Sequence, residues 1–162
     1  NDNNEQETSE IQFEDFLSLV GPEERLLAVN IKADGLAVPL KNAMKNYNPK
    51  NWFVFDMSVP DTRAHISAGN PVFARMSEVE TQIPWLESVD GIWLDSFEDE
   101  WFDRGVIRDL IERGKRVCVV SSELHGRSYS TLWENLLPLS GYDSLILCTD
   151  LPEEARNFFA RK

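Results

Sequence analysis

Six short apolar runs along the chain each end in a polar or charged residue, and each lies next to a segment with helical spacing. Short apolar runs that alternate with helical patterns are typical of repeated strand–helix units around a parallel sheet. The pattern predicts strands at residues 26–31, 52–57, 71–76, 91–94, 116–120 and 145–148. It predicts helices at residues 11–20, 36–47, 62–68, 100–113, 129–137 and 152–161.

Local signals add detail at the ends of these elements. Ser77 followed by Glu80 has the spacing of a capping box, so we expect a short helix to begin at Ser77. Gly114 follows the clearest amphipathic segment and is expected to end that helix. Residues 1–10 are polar and acidic without an apolar anchor, which predicts a disordered segment or linker before a single domain at 11–162.

Regular parallel strands of this kind can close in two ways, as a doubly wound open sheet or as a (β/α) barrel. In either arrangement the carboxyl ends of the strands meet on one side, where ligands bind. Because a TIM-type barrel needs eight strands and the pattern contains six, strand number alone does not choose between the two.

Charge and composition exclude several classes of partner. Asp and Glu outnumber Lys and Arg by 28 to 16, giving a formal net charge of −12. This argues against nonspecific nucleic-acid binding and against adsorption to an anionic membrane, both of which need a basic surface. No apolar run is long enough to span a bilayer, and the sequence leaves cytoplasmic and exported locations open. Cys118 and Cys148 lie in predicted strands and are expected to be buried free thiols.

Charged residues follow four of the predicted strands. Lys32 and Arg75 are suited to phosphate binding, and Asp56 and Asp95 to acid–base chemistry or cation binding. Each also has a structural alternative, in which the two cations form ion pairs with nearby carboxylates. The candidate partners are Asp34 or Asp56 for Lys32, and Glu78, Asp56 or Asp95 for Arg75.

The loop after the fifth strand is the richest polar segment. Glu123, His125 and Arg127 within it are candidates for substrate binding, although the chain has no Gly-x-Ser-x-Gly nucleophile elbow. The alternative is an exposed loop in which Glu123 pairs with Arg127. His65 is expected to be incidental, on a short surface helix.

Two segments resemble the glycerophosphodiester phosphodiesterases and the related phosphatidylinositol-specific phospholipase C-like enzymes. Residues 27–32, Leu-Ala-Val-Asn-Ile-Lys, look like that superfamily's third strand, and residues 145–152, ending Thr-Asp-Leu-Pro, are similar to its closing strand. The resemblance covers roughly residues 24–161. It implies an incomplete TIM-type (β/α) barrel containing strands three to eight.

The resemblance also implies an activity. The complete enzyme would hydrolyse a glycerophosphodiester or phosphoinositide by acid–base catalysis with two histidines and a divalent cation, Mg²⁺ or Ca²⁺. Lys32, Asp56 and Asp95 would then be catalytic, and Arg75, Glu123, His125 and Arg127 would bind the substrate, a small phosphodiester or a lipid headgroup. We expect Lys32 to matter more than His125, because Lys32 follows a strand whereas His125 lies in a loop.

The sequence departs from the superfamily in two respects. No residue occupies the place of the first-strand histidine or of the second-strand acidic metal ligands, so the chain by itself is expected to bind poorly and catalyse little. Asn30 stands where the superfamily has a carboxylate metal ligand. An incomplete barrel would also expose strand edges at 26–31 and 145–148, which predicts self-association.

Two other functions remain open from the sequence. One is a noncatalytic barrel-like domain that binds a partner, which the missing histidines favour. The other is a haloacid dehalogenase-like phosphatase in which Asp56, at the end of an apolar strand, is the nucleophile.

Overall fold

The computed structural model describes residues 11–20 and 25–160, in which six strands alternate with helices. The strands are β1 (Leu26–Asn30), β2 (Asn51–Phe55), β3 (Phe73–Met76), β4 (Gly91–Leu94), β5 (Arg116–Val120) and β6 (Leu145–Cys148). The α-helices are α1 (Phe13–Val20), α2 (Ala37–Tyr47), α3 (Val59–Ala68), α4 (Arg104–Glu112), α5 (Ser130–Leu136) and α6 (Pro152–Phe159). The predicted strands are confirmed, and the predicted linker at 1–10 lies outside the described residues.

The strands are all parallel and follow one another in sequence order. β1 pairs with β2, and β3, β4, β5 and β6 form a second ladder in that order. A parallel bridge between Val54 and Val72 joins the two ladders, supported by the Val54 amide donating to the Pro71 carbonyl at 2.9 Å. The fold is therefore α/β with parallel strands, and the described strands do not close into a barrel. β1 and β6 each pair on one side only, so the predicted self-association stays a prediction.

One face of the strands packs against the helices. Leu17 of α1, Met44 of α2, Ile107 of α4 and Leu132 of α5 belong to the same apolar core as Val54 and Val119 of the strands. Strand residues alternate between two faces, so every second side chain points into this core. The helix-facing core holds the six strand–helix units together.

The opposite face forms a smaller core made by the strands themselves. The Phe53 and Phe73 rings stack with centroids 3.8 Å apart, and Phe55 and Trp93 stack at the same separation one layer nearer the carboxyl ends. Cys118 completes this buried cluster together with Val120, and the partly buried side chains packed on it also come from strands. Because strand side chains alone cover this face, the aromatic rings must pack closely against one another.

Helix starts follow from capping, and one predicted helix is absent. α3 begins after Ser58, whose Oγ accepts from the Asp61 amide, and α4 begins after Asp103, whose side chain accepts from two backbone amides. The helix predicted at Ser77 is wrong. Ser77 and Glu80 instead close a tight turn by exchanging two backbone hydrogen bonds of 3.2 and 3.1 Å. The capping pattern failed because the Glu80 carboxylate binds a strand side chain rather than the Ser77 amide.

The predicted surface position of His65 is also wrong. His65 is fully buried, and Asp61 one turn earlier on α3 is nearly so. Among the described residues, no helix is both long and apolar enough to cross a membrane. Cys118 and Cys148 are free thiols, as predicted, but Cys148 is only partly buried.

Candidate functional site

A cleft of about 330 Å³ lies at the carboxyl ends of the strands, and we call it the mouth. Its floor is the upper aromatic layer, Phe55 and Trp93. Its walls come from the residues that end or follow β1, β2, β3, β4 and β5. Each of these five strands contributes one polar or charged side chain to the lining. The lining residues are Asn30, Phe55, Asp56, Arg75, Trp93, Asp95, Phe97, Val120, Leu124 and His125.

Two cations converge on the Asp56 carboxylate at the mouth. Lys32 Nζ donates to Asp56 Oδ2 at 3.0 Å, and Arg75 Nη1 donates to Asp56 Oδ1 at 2.7 Å. Arg75 Nε is also bonded to Glu80, the residue that the tight turn brings back toward β3. The ion pairs predicted with Asp56 are therefore present, and Glu80 is an additional partner that sequence reasoning missed.

Both cations keep donors that these contacts do not use. Arginine has five N–H donors and lysine has three. Within the described residues, Arg75 uses two donors and Lys32 one. The Arg75 guanidinium also lies 5.8 Å from the centre of the Phe97 ring. Arg75 can thus offer up to three N–H groups to an anion in the mouth, and the exposed Lys32 beside it up to two more, without breaking an existing contact.

A histidine–carboxylate pair lies on the other side of the mouth. His125 Nε2 is 2.8 Å from Asp95 Oδ1, and the Ser96 amide donates to the same oxygen at 2.8 Å. Asp95 is buried and His125 is half-buried. Because Nε2–H donates a hydrogen bond to the carboxylate, the other ring nitrogen, Nδ1, is left to exchange a proton with a ligand. Nδ1 has no partner among the described residues.

The loop that carries His125 is more ordered than its sequence indicates. Residues Ser122–His125 form a 3₁₀ turn that ends at Gly126 in a left-handed conformation, with φ of 70°. The ring of Phe97 meets the His125 ring edge to face with centroids 5.5 Å apart. Phe97 therefore contacts both Arg75 and His125, and the expectation that Lys32 matters more than His125 stays a prediction.

Glu123 and Arg127 act as anchors of this loop and do not pair with each other. Glu123 accepts hydrogen bonds from the Ser121 and Thr149 hydroxyls and from the Asp150 amide, the last at 3.2 Å. Arg127 donates to the Ser96 carbonyl. The predicted Glu123–Arg127 ion pair is absent, and neither side chain lines the mouth. Their assignment to substrate binding remains a prediction that this geometry does not favour.

The hydrogen bonds that the Glu123 carboxylate accepts are stronger when this carboxylate is ionised. Burial raises the pKa of Glu123, but the hydrogen bonds from Ser121, Thr149 and the backbone outweigh burial, so this pKa lies below its ordinary value. A carboxylate with a depressed pKa stabilises the fold above its unfolded-state pKa, and that stabilisation is lost as the pH falls through the folded-state pKa.

Replacing Glu123 by Gln is therefore expected to lower the free energy of unfolding by about 2 kcal/mol at neutral pH, because hydrogen bonds to a charged acceptor are lost. Urea unfolding monitored by tryptophan fluorescence measures the difference. Below the ordinary glutamate pKa, the difference between the two proteins should shrink. The matched control is Glu134→Gln, since Glu134 is exposed on α5 and makes no hydrogen bond to the rest of the described chain. Equal costs for the two variants would contradict the anchoring role.

The side chains at the mouth do not fit a divalent cation. Asn30 offers a neutral amide, both Asp56 oxygens are engaged by cations, and Asp95 Oδ1 is bonded to His125. Within 11–20 and 25–160, no group of three or more His, Cys, Asp or Glu side chains could hold a metal. We therefore derive no chemical step through Mg²⁺ or Ca²⁺. The thiols are not nucleophiles either, since burial raises the pKa of Cys148 to about 11 and that of Cys118 further.

Sequence comparison adds no further information about this site. Family models, curated proteins and solved structures were compared with the chain, and none gave a significant match. The function is therefore argued from the geometry of the mouth.

Proposed function

We propose that the mouth binds a phosphodiester monoanion, as the phosphate-binding part of a phosphodiester hydrolase of the glycerophosphodiester or phosphoinositide type. One observation carries the proposal: Arg75, a cation with unused donors, lines the same cleft as the carboxylate-held imidazole of His125, and Lys32 lies beside it on the Asp56 carboxylate. Guanidinium groups match phosphate oxygens in geometry as well as in charge. The resemblance of residues 27–32 and 145–152 to that superfamily points to the same chemistry.

Each group has a distinct part in this proposal. Lys32 and Arg75 bind the non-bridging oxygens and stabilise the negative charge that grows on them as a nucleophile attacks phosphorus. His125 takes a proton from the attacking hydroxyl or gives one to the leaving oxygen through Nδ1. Asp95 holds the ring and stabilises the imidazolium that forms. Asp56 keeps the two cations side by side and is not the attacking group, because both its oxygens are engaged.

Displacement at phosphorus requires a base for the nucleophile and an acid for the leaving group. Among the described residues that line the mouth, His125 is the single imidazole. We therefore expect the chain to bind the diester and to hydrolyse it only when a second proton-transfer group is supplied. The presence of a single imidazole at the mouth, among the described residues, also favours a second candidate function, a noncatalytic phosphate-binding domain.

Features of the fold support a (β/α)-barrel origin for the mouth, as an incomplete TIM-type barrel. The strand order has no reversal among the described strands, and the aromatic face is buried by strand side chains as in a barrel interior. A doubly wound phosphatase would need a reversal of strand order to form its site. The phosphatase alternative with Asp56 as nucleophile therefore receives no support from the strand order.

Calorimetric titration with glycerophosphocholine, a glycerophosphodiester, tests the binding part of the proposal. We expect measurable binding, and no product from the chain alone, with or without Mg²⁺ or Ca²⁺. Imidazole added to the assay can supply the missing acid or base, so hydrolysis that rises with imidazole and falls in His125→Asn supports the hydrolase. Binding without turnover under all these conditions supports the noncatalytic domain, and no binding contradicts both.

A further inference from the structure

A ring of polar contacts links α3 to the segment that follows Lys32, and its three side chains, those of Asp61, His65 and Asn70, are buried. The Gly35 amide donates to Asp61 Oδ1 at 3.1 Å, and Asp61 Oδ2 lies 3.3 Å from His65 Nε2. His65 Nδ1 lies 3.0 Å from Asn70 Nδ2, which also donates to the Ala37 carbonyl at 2.9 Å. The ring thus begins at Gly35 and ends at Ala37, two residues further along the same segment.

The Asn70 amide determines the protonation state of His65 that fits this ring. Its nitrogen is a donor only, and its two hydrogens serve the Ala37 carbonyl and His65 Nδ1. Nδ1 must therefore accept, which places the ring proton of a neutral His65 on Nε2, facing the Asp61 carboxylate. A protonated His65 would present a donor to the donor of Asn70. Turning the Asn70 amide would relieve that conflict, but it would then present an oxygen to the Ala37 carbonyl.

We propose that this ring of Gly35, Asp61, His65, Asn70 and Ala37 is a proton-sensitive latch, which holds the segment carrying Lys32 at the mouth while His65 is neutral and releases it when His65 is protonated. The segment is tied to α3 at one further point, where Ser58 Oγ donates to Asp34 Oδ1 at 3.1 Å. That tie is exposed, whereas Asp61, His65 and Asn70 of the ring are buried, so the ring carries most of the constraint. The consequence for phosphate binding rests on the proposed function of the mouth.

The charged surroundings of His65 agree with a neutral resting state. Burial lowers the pKa of His65 below its ordinary value of 6.5, and the Asp61 carboxylate opposes this without cancelling it. On α2, Lys41 directs its Nζ to the Gly69 carbonyl and lies 6.0 Å from the centre of the Trp52 ring. A histidine with a depressed pKa stabilises the fold above its unfolded-state pKa, and this stabilisation is lost as the pH falls through the folded-state pKa. The latch is therefore closed at neutral pH and opens in weak acid.

Nuclear magnetic resonance of the unliganded chain tests the latch without reference to function. The chain has two histidines, so the His125→Asn variant identifies the signals of His65. We expect the protection of the Gly35 amide from exchange to fall about five- to tenfold as His65 is protonated, the loss of about 1 kcal/mol of hydrogen bonding. Protection that is unchanged through the His65 titration, or that follows His125, overturns the proposal, as does unfolding before His65 titrates.

Two substitutions distinguish opening of the latch on His65 protonation from destabilisation of the whole fold at low pH. His65→Asn keeps an acceptor toward Asn70 but cannot be protonated, so the acid-induced loss of Gly35 protection should disappear. Asn70→Asp places an acceptor beside His65 and should move the His65 titration to higher pH. In the wild-type chain, glycerophosphocholine binding should weaken over the same pH range as the Gly35 change. A Gly35 response without any glycerophosphocholine binding would refute the function of the mouth and leave the latch standing.

Discussion

Replacing Arg75 by Gln is expected to weaken glycerophosphocholine binding by about 10- to 100-fold, the effect of losing charge-assisted hydrogen bonds worth about 1.5–3 kcal/mol. Glutamine keeps much of the length of the side chain but loses the charge and the planar fork of donors. Asp56 and Glu80 would also lose their shared cation, so their negative charges would face the incoming phosphate. Calorimetric titration of both proteins measures the difference.

Arg113→Gln is the matched control for Arg75→Gln. It removes the same charge from an arginine that follows α4, at the amino ends of the strands and opposite the mouth, where it pairs with Asp109. Its effect on binding should be less than twofold, since exposed ion pairs and distant charges contribute little. Equal weakening in both variants would mean that net charge, and not the mouth, governs binding.

Replacing Gly91 by Ala is expected to destabilise the fold by about 3 kcal/mol, at the upper end of the usual cost of overpacking. A Cβ at this position would lie 2.5 Å from the Phe73 ring and 2.7 Å from the Arg116 carbonyl oxygen. Phe73 stacks on Phe53 in the aromatic layer beneath the floor of the mouth. Displacing it would therefore disturb the Phe55–Trp93 layer as well.

A double-mutant cycle shows whether the cost of Gly91→Ala comes from the ring. Phe73→Leu removes the aromatic atoms nearest to the added methyl group, so Gly91→Ala should cost less in that background than in the wild-type chain. Urea unfolding of the four proteins gives the coupling. Strictly additive costs would show that the aromatic layers are not packed as described.

The strands were accessible from the sequence because each is a short apolar run that ends in a polar residue, whereas their sequential order was implied only by the resemblance to a barrel superfamily. The same pattern brought Lys32, Asp56, Arg75 and Asp95 toward one end of the sheet. Periodicity could not find the contacts made by side chains distant in sequence, such as His125 with Asp95, separated by 30 residues. Local capping rules failed at Ser77 because a tertiary contact, Glu80 with Arg75, determined the conformation of the turn.

His65 and Phe97 show a second limit of sequence reasoning. His65 looked like a surface residue because α3 is weakly amphipathic, and its burial is accompanied by the contact of Nδ1 with Asn70 and by the Asp61 carboxylate 3.3 Å from Nε2. Phe97 follows a buried strand in an acidic loop, where an exposed aromatic residue has no distinctive pattern. Its contacts with Arg75 and His125 join residues from different parts of the chain and leave no local sequence signal.

The most direct test of the central claim is to map glycerophosphocholine binding on the chain by amide chemical shifts. The amides of Lys32, Asp56, Arg75, Asp95 and His125 should shift together and saturate at one ligand concentration, and these shifts should be much smaller in Arg75→Gln. Amides at the opposite end of the strands, such as Gly114, should not move. Shifts that cluster elsewhere, or that are absent at saturating ligand, would contradict the assignment of the mouth as a phosphodiester site.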